Sequence, residues 1–429
     1  MFSMTSPSAS AAAAVIAALS VVCAGVAAPS IKAERRYAHA SGHWSDGSIW
    51  AGNVAPSEGE RIWIQPAADK GNLKISLSQD MPTAFYLIAL GPQKGTVLDI
   101  DGEGHSFAPT NSLVDTYYSK SIEVAPNWTG NTAAFFACEL ADAFTEAPFS
   151  FSNPLIRICA DGDEFAHLEF LRGTVNFYDA SGVGNVNRTV SIGGGQNQRG
   201  TVTVFSNSTV RTGTLKMFGA APTNVIRVSA CDFTAFGSVG YSDGSAAGSR
   251  VHDFVVENGS TLTLKRGLSY FSMENYYPAR AQHRPVRTVA VRSGSTIVHD
   301  GSAAFLLNSP LTRFEISGGS TFDSSASGKA VNIANGDYSQ FCTNCSFVLS
   351  GSTFKSSNYS TAFGSPTTPT PLEVLVTNGT FVMSTHMSFS NARCDFSGDG
   401  VVRTGGSNLT FGNGSRVEWR CGAIDGGTL

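Results

Sequence analysis

Nine short phrases from about residue 165 onward share one form: "LEFLRGTV", "VTVFSNSTV", "IRVSACDF", "FVVENGSTL", "VAVRSGSTI", "FEISGGSTF", "FVLSGSTF", "VLVTNGTF" and "LTFGNGSRV". Each opens with two apolar residues separated by one residue. A tight turn of Gly, Asn, Ser or Thr follows, and an apolar residue comes next. That last position is Val175, Val210, Phe233, Leu262, Ile297, Phe322, Phe354, Phe381 and Val417. The phrases recur about every 30 residues, within the 20–50 range that marks a solenoid or propeller.

Alternation with period 2 makes each flank of the turn a strand with one buried face. A propeller blade of the WD type is longer and carries a signature absent here. A leucine-rich repeat needs a Leu- and Asn-rich consensus with a helical half, and no amphipathic helix fills the gaps. An antiparallel sandwich explains the alternation but not the matching turns. About 30 residues suit one coil of three short strands, with successive coils stacked at about 4.8 Å. The expected fold is therefore all-β, a right-handed parallel β-helix with about 30 residues per coil. Phe322, Phe354 and Phe381 would form a column of like residues inside it.

Such a solenoid has an open first coil, and its apolar interior must be covered. Just ahead of the first coils stands "GHWSDGSIWAGNVAPSEGERIWIQP", Gly42 to Pro66, with three of the five tryptophans, Trp44, Trp50 and Trp63. Trp44 and Trp50 can lie over the open end, Gly52, Pro56 and Gly59 make turns, and Ile62 and Ile64 begin an alternating strand. An N-terminal cap is favoured over a sugar-stacking platform. This phrase resembles the N-terminal segment of secreted β-strand-repeat proteins of the autotransporter-passenger type, with Glu60 where those carry Asp. "TVLDIDGEGHSF", Thr96 to Phe107, resembles the opening coils of pectate-lyase-like β-helices. These resemblances imply architecture, and hardly any activity.

The expected division is a signal peptide at 1–28, a cap segment at 29–75 and the β-helix at 76–429, incomplete at its C-terminal end. "AAAAVIAALSVVCAGVAA", Ala11 to Ala28, is the apolar run of a signal peptide, although no Lys or Arg precedes it. The mature chain is expected to be secreted or at the cell surface, with no membrane span. A net charge of -4 argues against nucleic acid as a partner. The seven cysteines beyond Cys23 are too scattered for a disulfide scaffold, but "FCTNC" allows a small Cys342–Cys345 disulfide. No second pair completes a zinc site, so neither metal nor cofactor is expected.

Candidate chemistry is sparse. The acidic candidates are Asp161, Asp163 and Glu164 in "CADGDEF", which sit at a turn, and Asp99 and Asp101 in "LDIDG". The richest polar segment runs from Lys265 to Arg287 between two repeat phrases, as a turn insertion. Its Lys265, Arg266, Tyr276, Tyr277, Arg280, His283, Arg284 and Arg287 suit an acidic glycan or a surface protein. The sequons, among them Asn207, Asn258 and Asn378, are read mainly as turn chemistry. The expected role is structural or adhesive, without catalysis. The alternative is a polysaccharide lyase or glycoside hydrolase on the same fold.

Overall fold

A computed structural model describes residues 35–57, 61–64, 72–80, 87–90, 97–107, 122–123, 136–137, 150–152, 155–160, 165–177, 189–192, 200–218, 223–242, 251–271, 286–336 and 339–425. All belong to one compact unit, Arg35–Leu429. The expected signal peptide lies outside the described residues.

The chain is a parallel β-helix of three ladders. One coil shows the plan: Thr312–Ser317 lies in the first ladder, Thr321–Asp323 in the second and Val331–Ile333 in the third. The next coil repeats it in parallel register, with Phe314 beside Phe347, Phe322 beside Phe354 and Val331 beside Thr361. Ten strands make up the first ladder from Phe165–Phe170 to the start of Arg416–Asp425. No α-helix occurs among the described residues, and none there could cross a membrane.

The repeat phrase is the corner between the first and second ladders. Its final apolar residues stack in one column: Val175, Val210, Phe233, Leu262, Ile297, Phe322, Phe354 and Phe381 are successive register partners. All eight are at most 1% exposed. Phe322 and Phe354 stack with centroids 5.0 Å apart, and Phe363 and Phe389 in the third ladder at 4.8 Å. Burying each such ring contributes about 1.5–3 kcal/mol.

The ninth phrase breaks the column. Phe381 is followed by Val402 and then Ile424, whereas Val417 pairs with Cys394 in the first ladder. A coil at Cys394–Val402 was hidden because Cys394 takes an inward apolar place. "LTFGNGSRV" crosses a different corner, from the third ladder to the first, which uses the same Asn-Gly turn chemistry.

Corner residues adopt left-handed backbone where the phrase carries Asn or Gly: φ is 49° at Asn207, 58° at Asn258, 52° at Asn378 and 68° at Gly318. Asn tolerates this region better than other side chains, and Gly enters it without a Cβ penalty. Just inside the corner runs a rung of buried hydroxyls. The amides of Cys231, Ser260, Ser295 and Ser320 donate to the hydroxyls of Ser260, Ser295, Ser320 and Ser352 in the next coil, at 3.1–3.2 Å. Cys231 fills the rung before them, accepting from the Ser208 amide at 3.4 Å. The recurrent "ST" thus splits its work. Ser turns inward to satisfy backbone, while Thr261, Thr296, Thr321, Thr353 and Thr380 form a half-exposed outer ladder.

Two features depart from expectation. Ladder pairing already runs through the segment expected as a cap, since Arg35–Ala38 pairs with Arg61–Ile64, and that strand with Leu87–Leu90. Cap and first coil are one structure. Within it Trp44 and Trp50 are 4% and 0% exposed and meet edge-on at 4.9 Å. The Trp50 indole donates to the Trp44 carbonyl at 2.9 Å, and the Trp44 amide donates to the Ser76 carbonyl at 2.8 Å. Both rings join the continuous core. Trp63 instead lies on the second strand of the third ladder, beside Tyr37 and Ala89.

The second departure is a coil that runs backwards. Phe136–Ala137, Ser150–Ser152 and Leu155–Ala160 are antiparallel to their neighbours on both sides in all three ladders. The solenoid is therefore parallel except where this coil reverses direction.

Candidate functional site

The insertion predicted from sequence leaves the solenoid between Gly267–Phe271 in the third ladder and Val286–Val291 in the first. Tyr276, Tyr277, Arg280, His283 and Arg284 lie outside the described residues. Arg287 is on the strand that follows, beside His252 and Thr312. Lys265 and Arg266 are not part of this corner. They turn from the second ladder to the third, so the whole strand Gly267–Phe271, about 17 Å long, separates them from the insertion. Lys265 holds Asp300 at 2.7 Å, and the Arg266 carbonyl accepts from the Ala303 amide at 2.6 Å. Lys265 and Arg266 thus stand at a different corner from Arg287.

Of the acidic candidates, Asp161, Asp163 and Glu164 lie outside the described residues. Asp101 binds Lys74 at 3.0 Å and also contacts Arg172. Burial pushes its carboxyl up, but Lys74, the Glu103 amide and Arg172 outweigh this and hold it below the ordinary value. It clamps coils together as an anion. Cys342 and Cys345 are both buried in the loop before Ser346–Ser350. The Cys345 thiol donates to the Ser309 carbonyl at 3.1 Å.

The densest charge cluster among the described residues is not one of the sequence candidates. It occupies the outward face of the first ladder over four coils. Arg227 approaches Glu257 at 3.6 Å, and Arg292 grips Glu315 through two nitrogens at 3.0 and 2.9 Å. Arg313 reaches the same carboxylate at 3.1 Å, and Ser317 donates to it at 3.0 Å. Burial pushes the Glu315 carboxyl up, yet these partners hold it below its ordinary value. Asp253 differs. Burial raises its pKa despite Thr288, Arg292 and Arg227, and its Oδ1 is buried without a hydrogen-bond partner. The sequence signal was the outward position inside each phrase, as in "IRV" and "FEI".

Chemically, the cluster holds three arginines and three acids on one face. A glycoside hydrolase needs one carboxyl poised to donate a proton and a second facing it across the bond. Asp253 alone has a raised pKa among the acids described here, and Glu315 is locked to two arginines. No group of three or more His, Cys, Asp or Glu side chains is placed to hold a metal among the described residues. No protein-family model, curated protein or solved structure matches the chain.

Proposed function

We propose that this protein is a secreted or surface-exposed shaft of structural or adhesive type, with no catalytic activity of its own. The observation that carries this is the mutual neutralisation of outward charges on the first ladder. Arg227, Arg292 and Arg313 are each half-exposed yet paired with Glu257 or Glu315. Such a face stiffens the stack and offers little to a charged ligand. The corner insertion at 272–285 is then the part that meets a partner. Its Arg280, His283 and Arg284, with Tyr276, Tyr277 and the adjoining Arg287, suit an acidic glycan or an acidic protein surface. The apolar leader at Ala11–Ala28 and the autotransporter-passenger-like tryptophan phrase support a place outside the cell.

Asp253 motivates a second reading, a polysaccharide lyase or glycoside hydrolase. A carboxyl with raised pKa between two arginines is the kind of group such enzymes employ. One experiment separates the two. The purified chain is applied to acidic and neutral glycans while unsaturated uronate ends and reducing sugar are measured in the same wells. Binding without turnover, lost in Arg280→Ala/Arg284→Ala/Arg287→Ala, is the expected result. Turnover abolished by Asp253→Asn would replace the first reading with the second.

A further inference from the structure

The second ladder ends on a column of inward residues, Thr212, Ala235, Leu264 and His299, that are successive register partners. His299 is 0% exposed, and the Phe305 ring lies 6.0 Å from its own. Both ring nitrogens are bonded. Nε2 lies 2.9 Å from the Ala303 carbonyl, which can only accept, so Nε2 carries the proton. Nδ1 then accepts from the Ser324 hydroxyl of the next coil at 2.8 Å. Ala303 belongs to the corner 300–304, between the second and third ladders, so the imidazole ties this corner to the interior. The backbone of the corner rests on the one before it. The Asp300 amide donates to the Leu264 carbonyl at 3.1 Å, the Ala303 amide donates to the Arg266 carbonyl at 2.6 Å, and Lys265 pairs with Asp300 at 2.7 Å. The stacking is close, since a Cβ on Gly301 would collide with the Arg266 carbonyl oxygen.

We infer that His299 is an acid-released latch: a proton on Nδ1 breaks its tie to Ser324 and turns the ring and the corner 300–304 outward together, while the ladders keep their pairing. Nδ1 bonds Ser324 only as an acceptor. Once protonated it must donate to the Ser324 oxygen, and the hydroxyl hydrogen of that side chain, 0% exposed, loses its acceptor. The Ala303 carbonyl is the better partner of a charged ring and moves with it. The charged groups on the corners and strands packed about His299 are Lys265, Arg266 and Asp300, with Asp323 and Lys355 on the coils that follow. None offers a free carboxylate, because Asp300 holds Lys265 and Asp323 holds Lys355, each at 2.7 Å. Inward it meets the Phe305 ring. Burial accordingly holds its pKa below 6.5, against the pull of the Ala303 carbonyl and Asp300. A buried charge without a counterion is relieved by reaching water. The corner is the nearest segment able to yield: Asp300 and Ser302 are exposed, and Gly301, Ala303 and Ala304 are half-buried. The strands on either side are anchored by Ile297 and Phe305, both 0% exposed. Opening is therefore local.

Hydrogen exchange on the full chain, read by mass spectrometry at about pH 7.5 and about pH 5, tests this. After correction for the intrinsic pH dependence of exchange, the amides of 300–304 should exchange at least about tenfold faster at the lower pH. Those of the equivalent corner one coil on, 324–330, which carries no histidine, should not change. His299→Gln keeps a donor for the Ala303 carbonyl and an acceptor for Ser324 but does not titrate, so it should abolish the difference. Ser324→Ala removes the hydroxyl that favours the neutral ring, so opening should begin at a higher pH than in the parent. If His299→Gln leaves the corner unprotected at both values, the parent comparison and the Ser324→Ala shift still decide. Equal protection of the parent corner at both pH values overturns the inference. So does a pH effect that persists in His299→Gln, an onset unmoved by Ser324→Ala, or an opening shared by 324–330, which would be a general loosening of the solenoid.

Discussion

Replacing Ser260 by Ala removes one rung of the buried hydroxyl ladder and nothing else of size. Ser260 is 1% exposed; its hydroxyl lies 2.6 Å from the Glu257 carbonyl and accepts from the Cys231 amide at 3.1 Å. The substitution leaves that amide buried without its acceptor, at about 1–3 kcal/mol, and forfeits a net bond of about 1 kcal/mol. A total of about 2–4 kcal/mol follows. Unfolding entropy near the midpoint is about 2.1 cal/mol/K per residue, or about 0.55 kcal/mol/K for the ~260 residues from Phe165 to Asp425 unfolding together. The midpoint should therefore fall by about 4–7 °C in calorimetry. Thr261→Ala, one residue on but facing outward, is the control and should shift it by about 1 °C or less. Ser260→Cys should fall between them, because Cys231 already serves as a rung. Equal shifts for Ser260→Ala and Thr261→Ala would refute the division of labour between the two residues.

Phe354→Ala empties the centre of the aromatic column, where Phe322, Phe347, Phe363 and Phe381 surround it; a loss of about 3–5 kcal/mol is expected in denaturant unfolding, and a loss below about 1 kcal/mol would refute that packing. Burial depresses the His299 pKa below 6.5 against the pull of the Ala303 carbonyl and Asp300. Its folded state binds fewer protons than the unfolded chain below pH 6.5, so stability is full above that value and declines as pH falls toward the native pKa. His299→Gln should flatten this part of the profile. Asp253 has the opposite sign. Its raised pKa means stability is lost as pH rises above 3.8, so Asp253→Asn should stabilise the protein at pH 7 and not at pH 3. Equal effects at both would rule out the titration.

Much of the fold was legible because a solenoid repeats its local rule. Eight of the nine phrases lie in one register column, since each needs an inward apolar residue, a left-handed corner and a second inward residue at fixed places. The rule failed at Val417 because tight corners look alike in sequence, and at Cys394 because a thiol can serve as an apolar side chain. The backward coil left no local mark at all. Strand direction depends on which distant partner a strand meets, and Leu155–Ala160 alternates like any other strand. The candidate site was harder still. Lys265 and Arg287 are close in sequence, yet the intervening strand carries them to different corners. Arg227, Glu257 and Arg292 are far apart in sequence and adjacent only through coil stacking.

Reversing one coil also sets the order in which the molecule can assemble. Parallel coils can be added one at a time, each templated by the last, so the chain from Phe165 onward can zip forward by itself. The backward strand Leu155–Ala160 reaches its nearer partner Phe165–Phe170 through a short hairpin, but on its other side Ile158 must find Leu98, 60 residues earlier. That long closure is slow compared with the hairpin. The N-terminal coils and their tryptophan closure are therefore expected to join a stack that has already formed, with the backward coil as the seam between the two halves.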